Sequence, residues 1–260
     1  MNAELNNWLQ LILRWVHVVA GIIWIGHLYF FNWVNAHFAK TLTAENRKLV
    51  VPELMPRALY WFRWGAAWTW ITGVLLVGLI YYHGRLVFEN PDAGNPWLWL
   101  AIFLVILAFG FVVYNAVMKG VKNVLAANTI CLVIFAALYG VLEYVGHYGG
   151  RSLYIHAGSI FGTMMAANVW MIIWPYQKRI IAAVKAGTAA DPADVATAGL
   201  RSRHNTFMSV PLVFTMISNH YPTVYGMDPW PRDIILAVII AVGFIAVRLL
   251  YGKSAKVQGF

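Results

Sequence analysis

The chain has eight histidines, and several of them fall inside or at the ends of apolar segments long enough to cross a bilayer. His17 is the clearest case: it follows Arg14 on the run 15–39, which contains no Asp, Glu, Lys or Arg. An imidazole in such a place is costly unless it meets a partner, a water-filled cavity or a metal, so it marks a candidate functional site. His156 repeats the pattern on the run 152–177. Two histidines at similar depth on different helices meet the minimum for holding a haem iron between imidazoles, so the chemistry suggested is redox chemistry on haem b.

The neighbours of each histidine extend that reading. Gly21 and Trp24 share the helical face of His17, at i+4 and i+7, and a glycine one turn away leaves room for a flat macrocycle. Arg14, at i−3, could meet a propionate at the membrane surface. Ser159, Thr163 and Ala167 follow His156 on its face and are small, and Arg151 just outside the run is the second propionate partner. His17 and His156 are therefore the expected axial pair. His220, in Ser218-Asn219-His220-Tyr221-Pro222, is the reserve. His27 lies about 15 Å further along the helix axis than His17 and about 80° around it, too far to share one iron. The plainer reading of His17 and His156 is a hydrogen bond to a neighbouring helix. His37, His83 and His147 read as interfacial, and His204 reads as a contact to phosphate headgroups. Asn115, Asn128 and Asn168 add polar groups inside apolar runs, where they also serve as interhelical glue. Glu143 could take protons, and Pro211 should kink its helix.

The elements that must position these residues follow from composition. Hydrophobic residues make up 61% of the chain and charged residues 11%, with a mean hydropathy of +0.64. Soluble domains carry about twice that charge fraction, so an integral membrane protein is expected. The charge-free runs are 15–39, 64–84, 93–118, 123–142, 152–177, 204–227 and 234–247. About 20 apolar residues span the hydrocarbon core as a helix, which six runs achieve outright; the last is short, but Arg248 can snorkel at its end. The expectation is an all-α bundle of seven transmembrane helices forming one domain over 1–260. Its spans are expected at about 10–38, 58–83, 96–118, 123–146, 152–175, 204–221 and 231–251. Unbroken runs of this kind exclude a β-barrel. Thr43-Ala44-Glu45 reads as the start of a short interfacial helix stopped by Pro52 and Pro56, and Asp191-Pro192 as an N-cap with proline at the first helical position.

Charge sets the orientation. Lys40, Arg47, Lys48 and Arg57 follow the first span, Lys178, Arg179, Lys185, Arg201 and Arg203 follow the fifth, and Lys253 and Lys256 close the chain. The opposite side holds only Arg85, Arg151 and Arg232. The positive-inside rule then puts the N-terminus outside and the C-terminus in the cytoplasm of a bacterial inner membrane. Distributed this way, the net charge of +9 is a matter of topology and gives no argument for nucleic acid. The one cysteine, Cys131, excludes a disulfide and a thiolate-held cluster.

The motifs also resemble those of a known family. Arg14-Trp15-Val16-His17, Gly21, Trp24-Ile25-Gly26 and Tyr29-Phe30 look like the opening of the urate oxidase N-terminal domain family, the membrane part of bacterial urate hydroxylases. His156-Ala157-Gly158, Gly162-Thr163-Met164, Asn168-Val169-Trp170 and Pro175-Tyr176-Gln177 resemble its fifth-span signature. His204-Asn205, Pro211 and Met216 through Pro222 resemble its sixth. The resemblance implies oxidation of urate to 5-hydroxyisourate, with electrons leaving through a cytochrome c. In full-length members that cytochrome is fused behind a further helix; here there is no CxxCH haem-attachment site, so a separate cytochrome c or quinone is the expected acceptor. His17, His156 and His220 are the positions the resemblance carries over. A fainter similarity to a membrane protoporphyrinogen oxidase also favours haem.

The sequence thus predicts a membrane redox protein binding haem b, with the lipid bilayer and an electron acceptor as partners and room for a homo-oligomer. Two other classes stay open. One is a cofactor-free small-molecule transporter. The other is a non-catalytic subunit of a respiratory membrane complex.

Overall fold

The structure is a computed structural model that describes residues 2–258. It is all-helical, and among the described residues the only strand-like pairing is an isolated bridge between Phe88 and Tyr148. Six helices are long and apolar enough to cross a membrane: α1 (Ala3–Thr41), α2 (Ala44–His83), α3 (Pro96–Gly120), α4 (Val124–Val145), α5 (Gly150–Ala186) and, last in the chain, Pro229–Ser254. Between the fifth and sixth of these lies α6 (Pro192–Ile217), so Pro229–Ser254 is α7. A 3₁₀ turn, Ser218–His220, follows α6.

Side-chain caps explain several of the helix starts. Asn95 accepts from the Trp97 and Leu98 amides ahead of α3, and Asn123 accepts from Leu125 and Ala126 ahead of α4. Asp191 accepts from the Ala193 amide, with Pro192 at the first helical position of α6. Each cap satisfies backbone donors that a helix start leaves open. Thr43 caps α2 through the Asn46 amide, but the short helix expected there does not stop at Pro52 or Pro56. It runs through both as the first turns of α2. The two prolines deprive the Lys48 and Pro52 carbonyls of their partners. Lys48 is exposed, and burial of Met55, Leu59 and Phe62 further along offsets the lost bonds.

α6 is missing from the apolar six because one of its faces is polar. Asn205, Thr206, Ser209, Thr215 and Ser218 are all buried. The hydroxyls of Thr206, Ser209, Thr215 and Ser218 donate to carbonyls of their own helical stretch, which satisfies them without water. Large apolar side chains on α1, α3, α4 and α7, such as Trp15, Ile22, Phe109, Leu125 and Leu249, are more than half exposed, as a lipid-facing surface requires. α5 is the opposite, with residues 152–173 mostly buried.

Four helices contain a widened π-type turn: Phe30–Asn35 in α1, Gly78–His83 in α2, Val141–Val145 in α4 and Asn168–Ile173 in α5. Each carries buried polar residues: Asn32, then Tyr81 and Tyr82, then Glu143, then Asn168. Such turns insert a residue into the helical register and recur at functional sites.

The chain divides into two compact units. The first comprises Met1–Leu13, Gly73–Met164 and Leu212–Val238; the second comprises Arg14–Thr72, Met165–Pro211 and Ile239–Phe260. In the first, the segment 84–95 pairs briefly with the α4–α5 connection, where the Gly149 amide donates to the Val87 carbonyl at 3.0 Å, and the bridge fixes Tyr148. In the second, α1 and α2 approach closely: a Cβ on Gly65 would lie 3.0 Å from the Trp24 amide nitrogen. There Asn168 donates to Asn205 and Asn205 to the Met165 carbonyl, both at 2.9 Å.

Candidate functional site

In the first unit, His156 is fully buried and both its ring nitrogens are engaged. Nδ1 lies 2.7 Å from the Ser152 carbonyl oxygen, which can only accept, so Nδ1 carries the proton and Nε2 is the acceptor. The Tyr82 hydroxyl, 2.9 Å from Nε2, therefore donates to it. That uses the single phenolic proton of Tyr82, so the Tyr148 hydroxyl at 2.8 Å donates to Tyr82. The result is a directed chain from Tyr148 through Tyr82 to His156 and on to the Ser152 carbonyl. Burial pushes the Tyr148 hydroxyl up to about 12, which keeps it a donor.

Aromatic rings close around this chain. Ring centroids of Phe103 and Tyr148 lie 4.4 and 4.8 Å from His156, and those of Tyr81 and Tyr82 lie at 5.6 Å. Four elements contribute: the widened turn of α2, the middle of α3, the bridged loop before α5 and the first turns of α5. Beside it, Asn219 accepts from the Tyr81 hydroxyl at 2.8 Å and from Arg151 Nε at 2.9 Å. His220 is the next residue and is exposed.

In the second unit, His17 is half-buried, and its Nδ1 lies 3.1 Å from Thr72 Oγ1. That hydroxyl donates to the Trp68 carbonyl at 2.6 Å, so it accepts from His17 Nδ1–H and leaves Nε2 as the basic nitrogen. Gly21, on the same face, would place a Cβ 3.8 Å from Thr69 Cγ2, an ordinary contact, so α2 lies against the space the glycine opens. Trp24 is buried, and its indole N–H has no hydrogen-bond partner. Arg14 is exposed.

The candidate haem ligands thus differ in what they offer. His17 has the arrangement expected of a metal-binding imidazole, one ring N–H held by a second group and the other nitrogen basic. His156 in this structure presents no lone pair to an iron, because Tyr82 occupies Nε2. The structure places His17 with Arg14 in one unit and His156, Arg151 and His220 in the other. Tyr82, Tyr148 and Asn219 were not singled out by sequence; the tyrosines read as aromatic residues at span ends. Among the described residues no three His, Cys, Asp or Glu side chains converge as a metal-ion site.

The family model described as urate oxidase N-terminal matches residues 3–49 and 42–259. The chain belongs to the urate oxidase N-terminal family. It is therefore a membrane protein related to the urate hydroxylases, and both histidine sites lie within the matched segments. No match was found among curated proteins or among solved structures.

Proposed function

We propose that this member of the urate oxidase N-terminal family is a membrane redox protein that oxidises urate, or a closely related small molecule, to 5-hydroxyisourate or its counterpart. The electrons pass to a separate cytochrome c or to quinone. The observation that carries this reading is the buried chain Tyr148–Tyr82–His156 inside a family-matched segment. Oxidation by addition of water releases protons, and these three groups can hold and pass one without admitting solvent. His156 Nε2 receives a proton from Tyr82, Tyr82 is reprotonated by Tyr148, and the Ser152 carbonyl keeps the ring in the accepting tautomer.

Haem b is the proposed cofactor, with His17 Nε2 as the axial nitrogen, Arg14 as a propionate partner and His220 ahead of His156 as the second ligand. When bound, it supplies a one-electron carrier whose potential the protein sets. We propose seven spans, counting α6 with its satisfied polar face, with the N-terminus outside and the C-terminus in the cytoplasm of a bacterial inner membrane. The loops carrying Arg85 and Tyr148 then face outside.

The first test is a dithionite-reduced minus oxidised absorption spectrum of the purified chain, followed by urate-dependent reduction of cytochrome c. A haem b band together with urate turnover supports the reading. A colourless, folded, haem-supplemented preparation that carries substrates into vesicles replaces it with the transporter.

A further inference from the structure

The first unit buries a second polar cluster that the Tyr–His chain does not use. Glu143, on the widened turn of α4, is bonded through Oε1 to the guanidinium of Arg232 on α7, and the two side chains are only 5% and 4% exposed. Asp233 sits 3.9 Å from Arg232 Nε and accepts from the hydroxyls of Tyr139 and Tyr144 at 2.9 and 3.4 Å. From α5, the Tyr154 hydroxyl donates to the Arg232 carbonyl at 2.8 Å. The cluster is built to close tolerance: a Cβ on Gly150 would lie 2.6 Å from Arg232 Nη1 and 2.1 Å from the Tyr225 carbonyl oxygen.

Two carboxylates here share one guanidinium, so the fully ionised cluster carries one uncompensated negative charge in a site that excludes water, an unfavourable state. Two phenolic donors meet the charge on Asp233. Glu143 has no such help on its far side, because Oε2 is buried and has no hydrogen-bond partner. A proton on that oxygen cancels the surplus charge while Oε1 keeps its bond to Arg232. Glu143 also adjoins the buried chain in sequence: the Tyr148 amide donates to the carbonyl of Leu142 at 3.2 Å.

We propose that Glu143 is a proton-binding site, loaded at Oε2, that takes up a proton released by substrate oxidation before it leaves the membrane. This rests on the redox reading above. Oxidation of urate by water yields 5-hydroxyisourate, two protons and two electrons. The electrons go to the cytochrome c or quinone, and one O–H bond forms on Glu143 and later breaks as the proton departs. Arg232 and Asp233 are positioning residues that set the charge balance.

Infrared difference spectra of the purified full chain, taken between high and low pH, test the site without substrate or cofactor. Wild type should show a protonated-carboxyl C=O band that shifts when glutamate, but not aspartate, is labelled with ¹³C. The band should be lost in Glu143→Gln and kept in Asp233→Asn. A band that follows the aspartate label or survives in Glu143→Gln overturns the proposal, as does the absence of any titrating carboxyl band. If Glu143→Gln does not fold, the labelled wild-type spectra decide alone. A glutamate band in protein that neither binds haem nor oxidises urate leaves the proton site standing and removes the redox reading.

Discussion

Tyr82 bears more of the candidate site than any other side chain, since it accepts from Tyr148 and donates to His156. Tyr82→Phe leaves the His156 acceptor and the Tyr148 donor without partners in a closed interior. The expected cost is about 1–3 kcal/mol, read as a lower unfolding midpoint in detergent, with urate oxidation falling further than stability does. An unchanged midpoint and rate would show that the hydroxyl is idle. His17→Ala should abolish the haem spectrum while the protein still inserts, whereas His156→Ala should keep it, because Nε2 of His156 is already committed; loss of the band in His156→Ala would restore that residue as the axial partner. The histidines were legible in the sequence because an imidazole inside an apolar run has no cheap explanation. Their partners were not. Tyr82 and Tyr148 are aromatic residues near span ends, where an interfacial belt accounts for them equally well, and a hydrogen bond across 66 or 74 residues leaves no mark in local pattern.

At the level of the helices, charge-free runs located six spans because lipid contact tolerates almost no charge. They said less about where helices end, since α1, α2 and α5 continue well past their apolar stretches. The prolines of α2 misled for a related reason. A proline removes one bond and one only, and a helix with burial further along keeps going. Close approach of α5 to α6 in the first unit rests on Gly158: a Cβ there would lie 2.3 Å from Thr215 Oγ1, and that hydroxyl is tied to the Leu212 carbonyl. Gly158→Ala should therefore destabilise by about 1–3 kcal/mol through overpacking. Adding Thr215→Ala should recover part of that loss, so a double-mutant cycle with no coupling would place the strain elsewhere.

Across the whole molecule, the family match joins both units in one functional chain, and the connection from α5 to α6 is held by a bidentate pair. Arg179 Nε and Nη2 each donate to Asp194 at 2.7 Å, and these bonds hold the Asp194 carboxyl below its ordinary range. A carboxyl depressed in the folded state stabilises fully above its unfolded value and loses that contribution as pH falls through the folded one. Proteolysis of the 187–191 connection should thus accelerate at acidic pH in wild type and be fast at neutral pH in Asp194→Asn; equal rates would dismiss the pair as a clasp. The widened turns have one further implication, which concerns chain length. Gly78–His83 accommodates a residue that a regular helix does not need. Deleting Gly78 would let α2 run on as an ordinary helix and turn everything beyond it by about 100°, swinging Tyr82 away from His156 with every side chain of the site still present. In this family a single-codon deletion could therefore silence the site as completely as the loss of its histidine.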